Sequence, residues 1–187
     1  MQEVDNIVRI LKDTRKAIKE NDVVSLRTLS NQTIHTAATS QDPDNIAIAV
    51  IVYTLGKLIE KGQNGERGKY EEIFKKVLID MENLIAFLRV NNPEVVRKNL
   101  HSIRKHLEGG SEHFKVYIQD VFRKASINKA SKIYEHGISM ETTASLLGIT
   151  MFDLASYSGQ KQAIIQESEE KTISAKERIK IAMEIFE

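Results

Sequence analysis

The chain contains no cysteine and only two prolines among its 187 residues. The lack of cysteine excludes disulfide bonds, thiolate metal sites and cysteine nucleophiles, and it fits a reducing compartment. Long apolar runs are missing as well. The longest, Ile46 to Tyr53, has eight residues, whereas a membrane-spanning helix needs about 20. The N-terminal stretch MQEVDNIVRILKD mixes charged and apolar residues and is not predicted to be a signal peptide. We therefore expect a cytoplasmic protein that does not bind membranes.

An excess of charge of either sign is also absent. Lysine and arginine total 27 against 26 for aspartate and glutamate, which gives a formal net charge of +1. Bulk charge therefore does not predict binding to nucleic acid or anionic membranes, although single helix faces can still be basic. Apolar residues make up 41% of the chain and charged residues 28%. These fractions are close to globular averages and exclude wholesale disorder.

Apolar residues recur at helical spacing along most of the chain. Val4, Ile7 and Leu11 share one helical face, and a second amphipathic helix is predicted over residues 22–40. The segment IAIAVIVYTLGKLIE that follows is apolar nearly all round, so we expect it at the centre of a bundle. A strand is the alternative for its apolar run, but the length of the whole segment favours a helix.

Local start and stop signals divide the rest of the chain. Asp42 and Asn92 are each followed by a proline, which is typical of a capped helix start. A long amphipathic helix is predicted over residues 68–90, and Ser111 is a candidate cap for the helix after Gly109. Because no alternating strand pattern is present, the predicted fold class is all-α.

We divide the chain into three predicted parts. A helical bundle covers residues 1–125, a small helix-turn-helix-like unit covers residues 126–159, and a linker with a C-terminal helix covers residues 160–187. The last helix is predicted from Ser174, which forms a capping box with Glu177.

The segment KASKIYEHGISMETTASLLGITMFDLASYSG predicts three short helical pieces, separated at Gly137 and Gly148. Each glycine is followed by isoleucine and a hydroxyl residue that can cap the next helix, namely Ser139 or Thr150. Ala144 allows two helices to approach closely. This pattern, over residues 129–159, resembles the helix-turn-helix family, especially the short versions of prokaryotic regulators and antitoxins. The resemblance implies a compact tri-helical unit that contacts DNA or a protein.

The charge of this unit differs from that of a typical DNA-reading unit. The helix expected to read DNA, residues 150–158, offers the hydroxyls of Thr150 and Ser156 but no basic residue, and it carries Asp153. Contacts to phosphate would have to come from the preceding helix. The residues predicted for those contacts are Arg123, Lys124, Lys129 and Lys132.

A second resemblance concerns the segment LSNQTIHTA. Asn31 and His35 lie four residues apart, so they share a helical face, and Arg27 lies one turn earlier. The segment resembles the HEPN superfamily of helical bundles, whose ribonucleases carry arginine, a polar residue, several variable residues and histidine. Here Ser30 stands where that arginine is expected. The resemblance implies either a degenerate ribonuclease that uses Arg27, Asn31 and His35, or an inactive relative. Bonds from Asn31 and His35 to a neighbouring helix are the structural alternative.

A basic helix face is predicted within the stretch RKNLHSIRKH. Its cationic and imidazole side chains can line one face while Val96, Leu100, Ile103 and Leu107 face the core. Such a face can bind the backbone of DNA or RNA, or it can simply be solvated. The candidate contact residues on this helix are Arg97, Lys98, His101, Arg104 and Lys105.

No cofactor site is predicted. The spacing of His101, His106, His113 and His136 does not match a metal motif, and neither a phosphate-binding glycine loop nor a common hydrolase motif occurs. The leading hypothesis is a nucleic-acid-associated regulatory or interaction protein without catalytic activity, which self-associates as a homo-oligomer. The alternatives are the HEPN-type ribonuclease and a helical adaptor whose C-terminal helix binds a protein.

Overall fold

A computed structural model describes residues 3–40, 42–63, 68, 70–90, 92–109, 111–135, 137–147, 149–157 and 159. This part of the chain is helical and contains no strand, so the predicted all-α class is confirmed. The eight helices are α1 (Val4–Glu20), α2 (Val23–Ser40), α3 (Pro43–Lys61), α4 (Glu71–Leu88), α5 (Pro93–Leu107), α6 (Glu112–Glu135), α7 (Met140–Leu147) and α8 (residues 151–157). The C-terminal helix predicted from Ser174 lies outside the described residues.

Side-chain caps start several of these helices where the sequence predicts them. The Asp42 side chain accepts a hydrogen bond from the backbone N–H of Asp44 at 2.9 Å, and Asn92 accepts one from Val95 at 3.3 Å. Each cap is followed by a proline that needs no hydrogen-bond acceptor at the first helical position. These local bonds fix where α3 and α5 begin.

The α3 helix lies at the centre of the bundle, as predicted. Thirteen of its nineteen residues are buried, and it packs against α1, α2, α5, α6 and α7. A helix that is apolar all round is stable only where neighbours cover every side of it. The position of α3 therefore follows directly from its composition.

Two clusters of buried apolar side chains form the core. The larger cluster involves α1 to α6, and the smaller one joins α2, α3 and α6 through residues that include Ile34, Ile46 and Ile133. Leu147 of α7 packs against both clusters. The two clusters therefore have a common neighbour at the C-terminal side of the bundle.

The α6 helix differs from its prediction in length. The segment that starts at Lys129 was expected to be a separate short helix, but it is the last part of the 24-residue helix α6. No glycine or proline interrupts the chain between Glu112 and Glu135, so nothing in the backbone ends the helix earlier. The predicted boundary at residue 125 accordingly falls inside α6. The next break comes at Gly137, whose φ of +85° is the left-handed conformation that favours glycine.

Candidate nucleic-acid interface

The α5 helix is divided into an apolar face and a basic face. Its buried residues are Val96, Leu100, Ile103 and Leu107, which are the four expected from the sequence. The five candidate contact residues on the other side, Arg97, Lys98, His101, Arg104 and Lys105, are all exposed. Because residues three and four apart lie above one another on a helix, these side chains form a continuous surface. We call these five residues the α5 basic face.

A groove runs between α3, α5 and α6 beside this face, and we call it the α3–α5–α6 groove. It has a volume of about 580 Å³. Aliphatic residues of α3, with Leu100 and Phe122, form its floor, while Arg97, Arg104 and Arg123 line it together with His101. Three predicted contact arginines from two separate helices are thus brought to one place, and His101 lies with them. Lys98 and Lys105 lie on α5 outside this lining.

Each of the three arginines contacts a carboxylate. Arg97 Nε lies 3.2 Å from Asp44 Oδ1, and Arg104 Nε lies 2.9 Å from Glu108 Oε1. The Arg104 guanidinium also lies over the Phe122 ring, 5.3 Å from its centroid. The three arginine side chains are nevertheless 60–66% exposed. Such exposed pairs add little stability, but they hold the guanidinium groups in defined positions around the groove.

Arg123 joins α6 to α8. Its Nη2 lies 2.7 Å from Asp153 Oδ1, while the other carboxylate oxygen of Asp153 accepts a hydrogen bond from the Thr150 hydroxyl at 2.7 Å. The bond from Thr150 and the contact with Arg123 lower the pKa of Asp153 below its usual value. Asp153 was predicted to form a capping pair with Thr150 and was also counted as an unfavourable charge for DNA binding. It forms that pair and, through Arg123, fixes α8 beside the groove.

The other cationic candidates differ in how they are paired. Lys124 is exposed and pairs with Asp120 at 2.7 Å. Within the described ranges, neither Lys98 nor Lys105 forms an ion pair. Lys132 is half-buried. The charges most available to an incoming phosphate are therefore those of Lys98 and Lys105.

Lys129 is buried, which contradicts its predicted role. It was predicted to contact phosphate, yet its side chain is only 1% exposed. Its ammonium donates a hydrogen bond to Asn31 Oδ1 at 3.1 Å and lies over the Tyr53 ring, 4.7 Å from the centroid. Burial, with a contribution from the charge of Lys132, lowers its pKa to about 8. A group held inside the bundle cannot reach a phosphate, so Lys129 is not a contact residue.

The outer surface of α8 presents apolar as well as polar groups. Thr150 and Ser156 are exposed, as a contact role requires. Met151 is 54% exposed and Phe152 is 80% exposed, while Leu154 points inward and is fully buried. The Thr150 hydroxyl accepts the backbone N–H of Asp153 at 3.0 Å, which is the cap expected from the sequence. The cap of α7 is also present, because Ser139 Oγ accepts the N–H of Thr142.

The candidate ribonuclease residues lie along one exposed face of α2. Arg27, Asn31 and His35 are all exposed, but Arg27 pairs with Glu60 at 3.3 Å and Asn31 accepts the bond from Lys129. Ser30, at the position of the expected arginine, is fully buried and donates to the carbonyl of Ala49 at 2.7 Å. This position packs α2 against α3 and has no room for an arginine. Asn31 thus bonds to a neighbouring helix, which was the structural alternative to a catalytic role.

One polar cluster was missed by the sequence analysis. Asp80 of α4, which is 8% exposed, accepts a hydrogen bond from Ser102 at 3.2 Å and lies 2.6 Å from Nδ1 of His106. The four-residue spacing of Ser102 and His106 was the available signal. Their common partner Asp80 lies 22 positions before Ser102 in the chain, so no local pattern connects it to them. Both side chains contact the same carboxylate oxygen and do not form a catalytic relay. We interpret the cluster as a connection between α4 and α5.

Comparison with known protein families, curated proteins and solved structures finds no match to this chain. Across the described residues, no helix combines the length and the hydropathy needed to cross a membrane. The same residues contain no group of three histidine, aspartate or glutamate side chains arranged to hold a metal ion.

Proposed function

We propose that the protein is a nucleic-acid-associated regulatory protein without catalytic activity, and that it contacts nucleic acid through the α5 basic face and Arg123. The observation that carries this proposal is the gathering of Arg97, Arg104 and Arg123, from two helices, around one groove. Guanidinium groups bind phosphate oxygens in a bidentate manner. Several of them at one surface are the usual basis of affinity for a polyanion.

The unpaired lysines and the paired arginines have different roles in this proposal. Lys98 and Lys105 supply charge that no described acid neutralises. The arginines contact Asp44, Glu108 and Asp153, but each guanidinium has five N–H donors, so donors remain for a phosphate. Affinity that depends on phosphate contacts falls steeply as salt rises.

Residues 126–159 have a supporting role in the proposal. Because α8 carries no basic residue, we do not assign it the arginine or lysine contacts that commonly read guanine. Thr150 and Ser156 are exposed and offer hydroxyl groups to the backbone or to base edges. In this arrangement α5 and α6 provide most of the affinity, and α8 lies next to them through the bond between Arg123 and Asp153.

A salt series with charge-reversal variants tests the proposal. Fluorescence anisotropy measures binding of a labelled 20-nucleotide duplex DNA, single-stranded DNA and single-stranded RNA between 50 and 300 mM salt. We expect saturable binding at low salt to at least one of them. Arg104→Glu and Lys105→Glu should each weaken it about tenfold or more and should make the salt dependence less steep. Lys12→Glu, on α1, is the matched control and should change little.

Two results would sink this function. The first is a lack of binding to all three nucleic acids at 50 mM salt. The second is binding that Arg104→Glu and Lys105→Glu leave unchanged, since the contacts would then lie elsewhere.

A second candidate function is a helical adaptor that self-associates. The observation that favours it is the exposure of Met151 and Phe152 on neighbouring positions of α8, because large apolar side chains that lie together at a surface are typical of protein contacts. Light scattering distinguishes this candidate by comparing the mass of the intact chain with that of Phe152→Ser. Val24→Ser, which removes another exposed apolar side chain, is the control. A mass that Phe152→Ser does not reduce excludes α8 as the contact.

A further inference from the structure

The α3–α5–α6 groove has a feature that phosphate contacts do not require. Its floor is built from aliphatic side chains, among them Ile46, Val50 and Ile51 of α3. Half-buried Ala47 lies on the same helix and lines the groove, as do Leu147 and Ile149 from the C-terminal part of the described chain. A volume of about 580 Å³ is within the range of roughly 300–1,000 Å³ that is typical of small-molecule sites.

The charged residues that line the groove are mainly basic. Among the described residues that line the groove, Arg97, Arg104 and Arg123 are accompanied by one acid, Asp44, which Arg97 contacts. The partners of the other two arginines, Glu108 and Asp153, lie outside the lining. His101 adds a further nitrogen donor or acceptor. A negatively charged group opposite the floor can therefore accept hydrogen bonds from guanidinium N–H donors that the present carboxylate partners leave unused.

The chemistry of the floor narrows the class of ligand. Phe122, whose ring faces Arg104, is the aromatic side chain of the lining and is only 8% exposed. A nucleobase is commonly held by stacking on an open aromatic face and by donors and acceptors at its edge. Apart from Gln119 and Ser126, the uncharged lining is aliphatic or aromatic. Such a floor fits a flexible hydrocarbon chain better than a planar base.

We infer that the α3–α5–α6 groove binds a small amphipathic anion, in which an aliphatic chain lies along α3 and a carboxylate or phosphate head group contacts the arginines. This site shares its three arginines with the proposed nucleic-acid surface, but it can be tested separately, because Lys98 and Lys105 contribute to the basic face and lie outside the groove lining. A carboxylate head and a phosphate head share the chemistry that the arginines recognise, and the experiment separates them.

Isothermal titration calorimetry tests the inference with the full chain, and every probe with an alkyl chain is kept below its critical micelle concentration. Four main probes differ in head group or in the presence of a chain. These are decanoate, decyl phosphate, inorganic phosphate and decyltrimethylammonium. We expect saturable one-to-one binding of decanoate, decyl phosphate or both. Octanoate or octyl phosphate should bind roughly tenfold or more weakly, because each methylene removed from an apolar site costs about fourfold in affinity. Inorganic phosphate and the cationic chain should bind at least 20-fold more weakly.

Three variants locate the binding. Ala47→Trp fills the groove and should abolish binding of the anionic chain. Arg104→Gln should weaken that binding at least fivefold, and it keeps the test decisive if Ala47→Trp does not fold, as judged by circular dichroism. Lys105→Gln, at the adjacent position outside the groove, should bind the chain as the natural protein does.

The outcomes are distinct. Binding of decanoate alone identifies a carboxylate ligand, and binding of decyl phosphate alone identifies a phosphate ligand; either supports the site. The inference is overturned if neither anion binds saturably, if the cationic chain binds equally well, or if Arg104→Gln binds as tightly as Lys105→Gln. Loss of nucleic-acid binding in Lys105→Glu with unchanged decanoate binding separates this site from the proposed function.

Discussion

Lys129 shows how a single side chain can be committed to the interior of a helical bundle. Its ammonium group lies between α6, where it originates, and the residues Asn31 of α2 and Tyr53 of α3. One neutral hydrogen bond and an aromatic face do not replace the hydration that the charge loses on burial. This loss is the main reason why its pKa falls to about 8.

The lowered pKa of Lys129 predicts a rise in stability with pH. Between pH 8 and about 10 the unfolded chain, with a lysine of ordinary pKa, binds more protons than the folded one, so the free energy of unfolding should increase. Lys129→Met should remove this rise. It should also stabilise the protein at pH 7 by about 1–3 kcal/mol, because methionine is buried without a charge. Urea unfolding at pH 7, 8, 9 and 10 provides the measurement.

Lys124→Met, which removes an exposed lysine, is the matched control and should keep the pH dependence of the natural chain. The series ends at pH 10 because, at higher pH, the ionisation of Tyr117 lowers the free energy of unfolding. Burial raises the pKa of Tyr117, so the unfolded chain loses that proton first and stability falls. A rise that persists unchanged in Lys129→Met would contradict the assignment to Lys129.

Some of the contacts made by single residues could be predicted from the sequence, and others could not. The caps at Asp42, Asn92, Ser139 and Thr150 were predictable because each depends on a backbone N–H two or three positions away. The burial of Lys129 was not. Helical periodicity treats lysine as a surface residue, and its hydrogen-bond partner Asn31 is 98 positions away.

At the scale of helices, the contact between α4 and α5 has a polar centre. Asp80 is buried on α4 and contacts both Ser102 and His106 of α5. The second contact uses a histidine whose side chain is 36% exposed, so part of the cluster is reached by water. The buried carboxylate of Asp80 relies on Ser102 and His106 for the hydrogen bonds that replace its contacts with water.

Replacing Asp80 by alanine should lower the free energy of unfolding by about 2–4 kcal/mol. The variant loses two hydrogen bonds at a buried site and leaves a small cavity between the helices. Urea unfolding at pH 7 measures the change. Glu82→Ala is the control on the same helix. It removes a side chain that is 67% exposed and pairs with Arg15, so its cost should stay below about 1 kcal/mol. Equal costs for the two variants would show that Asp80 does not connect α4 to α5.

At the scale of the whole molecule, the class and most helices follow from periodicity, whereas the groove does not. The inward and outward residues of α5 were predicted because they repeat along one helix. The α3–α5–α6 groove needs Asp44, Arg97 and Arg123 to come together from positions far apart in the chain. Their approach depends on how three helices pack, and a pattern within a single segment carries no information about this.

The continuity of α6 bears on how the molecule unfolds. Ile118 belongs to the larger cluster and Ile133 to the smaller one, and both side chains are fully buried on this single helix. The predicted division at residue 125 falls between them. If the parts on either side of that position were independent, each substitution would weaken only its own part.

We expect instead that Ile118→Ala and Ile133→Ala each shift one common unfolding transition. Each variant removes a buried side chain and should lower the free energy of unfolding by about 2–4 kcal/mol, with the urea dependence unchanged. Circular dichroism at 222 nm follows the helices as a whole, and the fluorescence of the tyrosines provides a second probe. Coincident curves for both probes in both variants would mean that α6 makes the two clusters fold as one unit. A curve with two steps, of which each variant moves only one, would instead place a division of the molecule within α6.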